Sequence, residues 1–490
     1  MTPFNAGIGV KLRVAAAAAA VFVAACGALP ASAPATAELP IPTAWSTTPR
    51  SDSTPATSLA AWWQRFDDPL LVDLIDDALR ANTSVRGAKA ALAQARALSD
   101  VQSAALWPGL RGAASVQRTS SGSGGTRSSA SSYHAGFDAA WEPDVFGGQR
   151  AAVSAADADA QASAASLADV QVSVAAEVAV DYMQLRGLQA RLAIATDNLA
   201  SQDETLQITR WRTQAGLLTA LEVDQARTAT EQTRAQIPLL QTAATQVEHS
   251  IAVLTQRPPL ALHERLAVPA SVPMPGADLV LAFPAETLRQ RPDVRAAEAR
   301  VGAARQRVTQ ADVARWPSFA LSGSLGLSAL TLGALTDGAS LVAAVLGSVS
   351  VPIFDAGAAR AQVRAQQAAW QQAGAAYDAA VLQALKDVED SLVALRNDRE
   401  RLQSLRAAAE SAQSAALLAN QRYRSGLVDF QVVLDTQRAA LSTQDGVAAT
   451  LADVAADHVR LYKALGGGWE PTNATPEPSN RMPLTRSSTP

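Results

Sequence analysis

The sequence predicts a mainly α-helical protein with a small β part, in which long antiparallel coiled-coil helices carry a few strands at one end. Three observations lead to this fold class. Aromatic residues are only 5% of a chain rich in alanine, which suits long helices packed side by side. Apolar residues recur at every seventh position over long segments, and other segments alternate apolar and polar residues as strands do. Landmarks of the first half return about 210 residues later, which indicates an internal duplication.

The N-terminal 25 residues have the pattern of a bacterial lipoprotein signal peptide. Lys11 and Arg13 precede an apolar run, Val14 to Ala25, that is too short to span a bilayer. Cys26 is the single cysteine and ends a lipobox-like VAAC, so we predict that it is lipidated and anchors the protein. An ordinary signal peptide followed by an incidental cysteine is the alternative.

The body lies between a leader and a tail. Residues 26–58 are rich in Pro, Ala, Ser and Thr and predict an extended leader. Residues 469–490 have a similar composition and predict a disordered tail. The first structural repeat covers residues 59–270 and the second covers 271–468, each with a short helix, two strands, a long helix and a return helix.

The duplication rests on landmarks that keep their order. Alanine-rich helices can match by composition alone, so rarer residues carry the alignment. The last pair of segments below requires one inserted residue. The matched landmarks are Trp107-Pro108 with Trp316-Pro317, FGGQR at Phe146 with FDAGAAR at Phe354, and GLLTALEVDQAR at Gly216 with GLVDFQVVLDTQR at Gly426.

The helices are predicted to pair antiparallel in columns. Sustained heptads of Val and Leu indicate coiled-coil packing. At 1.5 Å per residue, one long helix and the sum of one short and one return helix both reach about 95 Å. Each half therefore supplies one continuous and one broken column, and four columns make a slab. The long and return helices are predicted over residues 150–212, 218–257, 359–424 and 428–465.

The strands have one apolar and one polar face. Phe137 and Trp141 share a face of the second strand, whereas His134 and Asp138 share the other. The strands are predicted at about 108–118, 132–145, 317–328 and 340–353. Prolines and aromatic residues at their junctions with helices predict a membrane interface. These junction residues are Trp107, Pro108, Trp141, Trp316, Pro317 and Phe354.

Such strands fit the wall of an outer-membrane barrel, although a small soluble sheet packed on the helices has the same pattern. Four strands cannot close a barrel, and lipid does not tolerate open sheet edges. Transmembrane strands therefore require several chains to share one barrel. The serine- and glycine-rich segment from Thr119 is predicted to be a flexible external loop.

Five motifs carry a resemblance to a known family. They are QRYRSG at Gln421, VVLDTQRAAL at Val432, VRLYKALGGGW at Val459, RPDVRAAEAR at Arg291 and AWEPDVFGG at Ala140. Together they resemble the TolC-like outer-membrane factors, specifically the NodT-type efflux lipoproteins. The resemblance covers nearly the whole mature body. It implies a homotrimer with a shared twelve-stranded barrel in the bacterial outer membrane and a long helical tunnel in the periplasm.

The resemblance also implies function and partners. The chain would be the outer-membrane channel of a tripartite efflux system that conducts small molecules such as drugs to the exterior. Its partners would be a periplasmic adaptor protein, an inner-membrane pump, with the RND type as first choice, and outer-membrane lipid. Two alternatives stay open: an exit duct for type I protein secretion, and a periplasmic coiled-coil scaffold lipoprotein without a channel.

Composition argues against other classes of function. The chain has 41 basic and 45 acidic residues, which gives no electrostatic footprint for nucleic acid. Four His and one Cys disfavour a metal site. No Ser/His/Asp arrangement and no glycine-rich phosphate loop after a strand is visible. The sequence predicts neither an enzyme nor a cofactor.

The channel gate is expected at the helical turns around Gly216 and Gly426, at the far end of the tunnel from the barrel. If these glycines adopt a positive φ, they should tolerate substitution poorly. By resemblance, Asp435 and Gln431, one turn earlier, should ring the aperture. Many relatives have an apolar residue in place of Gln431.

Four further tip residues are candidates by the same resemblance. Tyr423 and Glu222, on neighbouring hairpins, are candidates for a hydrogen-bonded latch of the closed state. Arg227 and Arg438 take matching places in the gapped alignment and are candidates for ion pairs that brace the tips. Residues of these types also occur on solvated coiled-coil faces, where ion pairs contribute about 0–1 kcal/mol.

Overall fold

The computed structural model of the chain describes residues 42, 44–45, 59–123, 126–276, 284–336 and 340–469. The predicted signal peptide, Cys26, most of the leader and nearly all of the tail lie outside the described residues.

The described residues form two similar halves joined by short helices. The first half contains α1 (Pro69–Ala81), α2 (Thr83–Ala104), β1 (Gly109–Ser123), β2 (Thr126–Trp141), α3 (Gly148–Gln214) and α4 (Ala220–Leu254). The connection contains α5 (His263–Leu266) and α6 (Pro284–Gln290). The second half contains α7 (Pro292–Val313), β3 (Ser318–Ala329), β4 (Leu341–Ser350), α8 (Ala358–Arg424) and α9 (Phe430–Ala464).

Helix lengths confirm the duplication. The long helices α3 and α8 both have 67 residues, and the return helices α4 and α9 both have 35. The short helices α2 and α7 both have 22 residues. Left-handed glycines precede both long helices, Gly147 with φ +84° and Gly357 with φ +86°. The two halves are therefore copies of one supersecondary unit.

The helices pack as the predicted slab of continuous and broken columns. α2 and α4 pack against α3, while α7 and α9 pack against both α3 and α8. The N-cap residue of each short helix bridges the break in its column. Asn82 Nδ2 donates to the Leu254 carbonyl oxygen at 2.9 Å, and Arg291 Nη1 donates to the Ala464 carbonyl oxygen at 2.9 Å. These bonds satisfy carbonyls that a helix end leaves without a partner.

An apolar core lies between the helices, near the middle of the columns. Trp62, Phe66 and Tyr462 are buried against one another and against heptad residues of α3 such as Val178 and Leu185. α3 is also the one described helix that is long and apolar enough to cross a membrane, but core helices meet that criterion too. Part of its apolar surface, including Val178 and Leu185, is buried in this core.

The four strands form one antiparallel sheet in the order β1-β2-β3-β4. Register aligns the apolar residues into one face: Phe137 lies opposite Leu325, and Trp141 lies opposite Leu321. All four side chains are exposed in the isolated chain. The outer edges of β1 and β4 pair with no other described strand, so the sheet is open, as expected for four strands that cannot close a barrel.

The strand boundaries differ from the prediction at the external end. β1 continues to Ser123 and β2 begins at Thr126, so most of the predicted first loop is strand. The prediction was wrong because Ser and Gly have low strand propensity, whereas cross-strand backbone pairing is continuous here. At the helical end, β2 stops at Trp141 and β4 at Ser350 instead of 145 and 353, two residues before a proline.

Helix ends also differ by a few residues. The sequence predicts short helices that end at Leu106 and Arg315, next to the Trp-Pro pairs. They end at Ala104 and Val313 because the chain closes with a tighter turn. α4 begins at Ala220 because Thr219 caps it, and it ends at Leu254.

Candidate functional site

The first helical turn at the tips joins α3 to α4 through Gly216. Its φ of +74° lies in the left-handed region that favours glycine. The Gly216 amide donates to the Thr213 carbonyl at 3.0 Å, and the Leu217 amide donates to the Arg212 carbonyl at 2.9 Å. This pair of bonds is the Schellman motif that ends many helices.

The second turn joins α8 to α9 with the same geometry. Gly426 also has a φ of +74°. Its amide donates to the Tyr423 carbonyl at 3.0 Å, and the Leu427 amide donates to the Arg422 carbonyl at 2.9 Å. The positive φ on which the expected intolerance of substitution depends is thus present at both tips, and each hairpin turn is fixed by local backbone bonds.

Glu222 belongs to the capping box of α4. Its carboxylate accepts hydrogen bonds from the Thr219 hydroxyl and from the Thr219 amide, the latter at 3.0 Å. Those bonds, the hydroxyl bond first, lower the pKa of Glu222 below its usual value. The carboxylate therefore stabilises the start of its own helix.

An apolar cluster joins the two hairpin tips of the chain. The rings of Tyr423 and Phe430 lie 5.4 Å apart between centroids. They pack with Leu206 of α3 and with Val433 and Leu434 of α9. Because the cluster contains residues of both hairpins, it holds the tips together.

The predicted hydrogen bond between Tyr423 and Glu222 is absent from the described chain. The Tyr423 hydroxyl is buried and has no hydrogen-bond partner among the described residues, while Glu222 bonds to Thr219. Both residues line one cavity of about 670 Å³ at the tips. Helix capping competes for the carboxylate, and ring packing holds the phenol away from it.

Arg212 makes two hydrogen bonds between the two hairpins and was not among the residues predicted from the sequence. Its Nη1 donates to the Tyr423 carbonyl at 3.0 Å and its Nη2 donates to the Arg424 carbonyl at 2.8 Å. Its guanidinium also lies 4.5 Å from the centroid of the Tyr423 ring. A charged donor at the negative end of the α8 dipole is favourable. No sequence motif marks an arginine that binds main-chain carbonyls.

Two further bonds connect α3 to the second hairpin. Arg424 Nη2 lies 2.7 Å from Glu204 Oε1, in an exposed ion pair. Gln437 Nε2 donates to Thr205 Oγ1 at 3.1 Å between buried side chains. The buried bond is protected from water, so we expect it to contribute more than the exposed pair.

Asp435, Gln431 and Arg438 lie together on the exposed face of α9. Gln431 Nε2 donates to Asp435 Oδ1 at 2.9 Å. Arg438 Nη1 stands 4.0 Å from the same oxygen, and both side chains are at least half exposed. The arrangement orients the Asp435 carboxylate without burying it.

The structure corrects the predicted correspondence between Arg227 and Arg438 in the two halves. Both turn glycines and both return helices are offset by the same number of residues, so no insertion lies between each turn and its return helix. Arg227 therefore corresponds to Gln437, and Arg438 lies one residue further around its helix. Arg227 is exposed, and no ion pair joins it to another described residue.

The junction residues lie where the sheet meets the helices, as their sequence positions require. Trp107 and Phe354 are 72% and 88% exposed, which large aromatic residues of a water-soluble surface seldom are. Trp141 Nε1 donates to the Leu106 carbonyl at 3.0 Å, and Phe146 packs against Trp316 with ring centroids 5.6 Å apart. Pro108 and Pro317 follow the two Trp residues at the start of β1 and β3.

Comparison with known proteins decides the family. The family model described as "Outer membrane efflux protein" matches residues 74–255 and 283–467, one segment in each half. The chain belongs to the outer membrane efflux protein family. The predicted resemblance is confirmed, and membership makes the chain an outer-membrane transport conduit and not an enzyme.

Named relatives are similar over most of their length. The chain is 33% identical over 472 residues to the pyoverdine export outer membrane protein OpmQ of Pseudomonas aeruginosa, covering 92% of this chain and 96% of that protein. It is 30% identical over 428 residues to the toluene efflux pump outer membrane protein TtgF of Pseudomonas putida, covering 85% and 87%.

Solved structures share the fold. The outer-membrane channel OprN has a TM-score of 0.81 at 34% identity, covering 88% of this chain and 100% of that chain. The outer membrane protein VceC of Vibrio cholerae has a TM-score of 0.77 at 26% identity, covering 84% and 100%. These matches support an efflux channel rather than a secretion duct or a scaffold without a channel.

Proposed function

We propose that three copies of this chain form one channel that exports small molecules together with a periplasmic adaptor and an inner-membrane pump of the RND type. The observation that carries the proposal is the open four-stranded sheet with its continuous apolar face. Three such sheets supply twelve strands, enough to close a barrel in lipid, where no edge can stay unpaired.

The edge strands favour assembly between copies. β4 has apolar side chains along its length, and Val345 and Val349 are 83% and 64% exposed. In the closed barrel, β4 of one copy would pair with β1 of the next. The exposed aromatic residues at the junctions, Trp107 and Phe354 above all, would then lie at the lipid headgroups.

A lipid anchor at Cys26 is part of the same proposal. The lipobox-like sequence supports it, and mass spectrometry of the mature protein tests it. Lipidation would give a mature chain that begins at Cys26 with added acyl mass, which Cys26→Ala would lack.

The gate is proposed at the helix tips, with Asp435 and Gln431 facing the axis. Three Asp435 carboxylates would concentrate negative charge at a narrow mouth and favour cations there. Arg438 stands close enough to Asp435 to moderate that charge. Gln431 supports the ring by its hydrogen bond to Asp435.

The named relatives support a broad class of transported molecules. OpmQ is named for pyoverdine export and TtgF for toluene efflux, so similar channels serve chemically different molecules. We propose that this channel is permissive and that its pump selects drugs and other small molecules.

The oligomeric state of the detergent-extracted protein tests the proposal. We expect a trimer by native mass measurement that converts to a 50.8 kDa or slightly smaller processed chain on heating in SDS. A monomer that stays soluble without detergent would contradict the shared barrel.

A further inference from the structure

The apolar face of the sheet ends sharply on the side away from the helices. Val116 of β1 lies opposite Tyr133 of β2, and both belong to this face. The next pair outward on the same face is Arg118 opposite Ser131, and the pair after it is serine opposite serine. The face therefore changes from apolar to polar within one step along the strand, and Arg118 lies at the boundary.

Arg118 is the one charged residue on this face among the strand residues whose side chains the structure describes. It is exposed, and no hydrogen bond or ion pair joins its side chain to another of these residues. Arg118 comes eleven residues after Trp107, and the residue eleven positions after Trp316 is Leu327. The other copy of the duplicated unit thus has an apolar residue in this place, so the fold itself does not require the arginine.

The distance from Trp107 to Arg118 matches the thickness of the apolar layer of a membrane. Eleven residues, nearly all of them in β1, rise about 36 Å along the strand. Strands of outer-membrane barrels tilt by about 35–45°, which leaves about 25–30 Å across the membrane, and their outward apolar band is about 25 Å tall. If the exposed Trp107 lies at the inner interface, Arg118 reaches the outer one.

The chemistry of a guanidinium selects one component of that interface. A charged side chain on a lipid-facing surface is tolerated best near the headgroups, which its long apolar stem allows it to reach. The planar guanidinium binds phosphate oxygens through two parallel hydrogen bonds. The outer leaflet of a bacterial outer membrane is built from lipid A, whose sugar headgroup carries phosphates directly above the acyl chains. A phosphate is therefore available at the depth of Arg118.

We infer that Arg118 binds a phosphate group of lipid A at the outer rim of the barrel, with one such site in each copy of the chain. The inference rests on the proposed trimeric barrel and names the lipid that its wall would hold. Val116 and Tyr133 lie directly below Arg118 on the same face, where they would contact the acyl chains of the bound molecule. A free anion would have no use for this apolar surface.

Arg111 provides the contrast on the other face of the same strand. It lies opposite Asp138 in the register, and residues opposite each other in a sheet are close enough for their charges to interact. Arg118 lies opposite a serine, so no carboxylate is available to it across the strand pair. In the proposed barrel, Arg111 faces the water-filled lumen and Arg118 faces lipid. The two arginines therefore form a matched pair for an experiment.

Native mass spectrometry of the detergent-extracted trimer, titrated with diphosphorylated lipid A, tests the site. Arg118→Gln should weaken the binding of lipid A about tenfold, the effect of losing one charge-assisted contact. Arg111→Gln, the same change on the lumen face, should leave the affinity as it is in the parent. Lipid A stripped of its phosphates should bind the parent as weakly as intact lipid A binds Arg118→Gln.

The heat-sensitive trimer band shows that each variant is assembled before lipid is added. Both arginines are exposed, so both variants should retain this band. Arg118→Lys keeps the positive charge and should bind lipid A more tightly than Arg118→Gln does.

The outcomes separate this inference from the proposed function. An intact Arg118→Gln trimer that binds lipid A as tightly as the parent would overturn the lipid site and leave the channel as proposed. Displacement of lipid A from the parent by millimolar inorganic phosphate would indicate a site for free anions and would overturn the inference as well. A protein that never forms a trimer would overturn both.

Discussion

Arg212 Nη1 donates a hydrogen bond to the main-chain carbonyl of Tyr423 at 3.0 Å, and the same guanidinium lies 4.5 Å from the Tyr423 ring centroid. One side chain thus binds both the end of a helix and the aromatic residue of that end. The hydrogen bonds of this contact depend on the position of the main chain more than on the side chain of Tyr423.

Arg212→Gln should loosen the tip within each chain. Loss of charged hydrogen bonds is expected to cost about 1.5–3 kcal/mol of local stability. Amide hydrogen exchange in peptides covering residues 419–430 should become faster. Arg210→Gln, an exposed neighbour on the same helix, is the control. Equal amide exchange rates in both variants would argue against a role of Arg212 in holding the tips together.

Asp435→Ala should make the isolated channel leakier, with larger or more frequent conductance in planar bilayers. The change removes the proposed charge ring and leaves Gln431 without its acceptor. Asp453→Ala, at an exposed position on the same helix, should leave conductance unchanged. Unchanged conductance in Asp435→Ala would remove this residue from the gate.

Gly216→Ala and Gly426→Ala should each destabilise the tips by about 1–2 kcal/mol, because an L-residue is strained at φ near +74°. No atom lies within 4 Å of the added Cβ at either site, so the cost is in the backbone alone. Gly374→Ala, inside α8 with equal space, should instead stabilise by about 0.5–1 kcal/mol. Thermal unfolding of the three variants checks the opposite signs.

Asp457→Asn should change how stability depends on pH. Burial raises the pKa of Asp457 to about 6, and Asp398 acts in the same direction against the opposing Arg460. Since an unfolded Asp has a pKa of about 3.9, the folded state binds the extra proton more tightly. The stability it contributes is complete below about pH 4 and is lost as pH rises through about 6.

The asparagine variant lacks this loss, so its stability relative to the parent should rise by about 1–3 kcal/mol between pH 4 and pH 8. Melting temperatures across that range provide the measurement. Asp453→Asn should follow the parent profile. Parallel profiles for Asp457→Asn and the parent would contradict the raised pKa.

Gly136→Val should disrupt the junction of the two halves in the sheet. A Cβ on Gly136 would lie 2.7 Å from the Gly326 Cα across the β2–β3 pair, closer than real structures allow. The heat-sensitive trimer band should therefore weaken. Gly323→Val adds the same side chain to the central strand β3, where the new Cβ would make only an ordinary contact, 3.6 Å from the Ala344 carbonyl oxygen, and should retain the band.

The sequence by itself determined the duplication, the columns and the two-faced strands. Each depends on local or periodic signals: heptads, proline positions, and glycines such as Gly216 that must end a helix. The apolar alternation of Phe137 and Trp141 likewise specified which residues share a face, because side chains alternate strictly along a strand.

Only the tertiary structure decided the polar contacts at the tips. Arg212 recognises carbonyl oxygens that every residue has, so no sequence signal could pair it with Tyr423. Glu222 was a candidate for a contact with Tyr423, but in the described chain one of its carboxylate oxygens bonds to Thr219 and no hydrogen bond joins it to Tyr423. The exact match of helix lengths also removed the inserted residue from the alignment of the turns. Arg227 therefore corresponds in position to Gln437 instead of Arg438. These outcomes depend on distances between separate helices, which sequence periodicity does not encode.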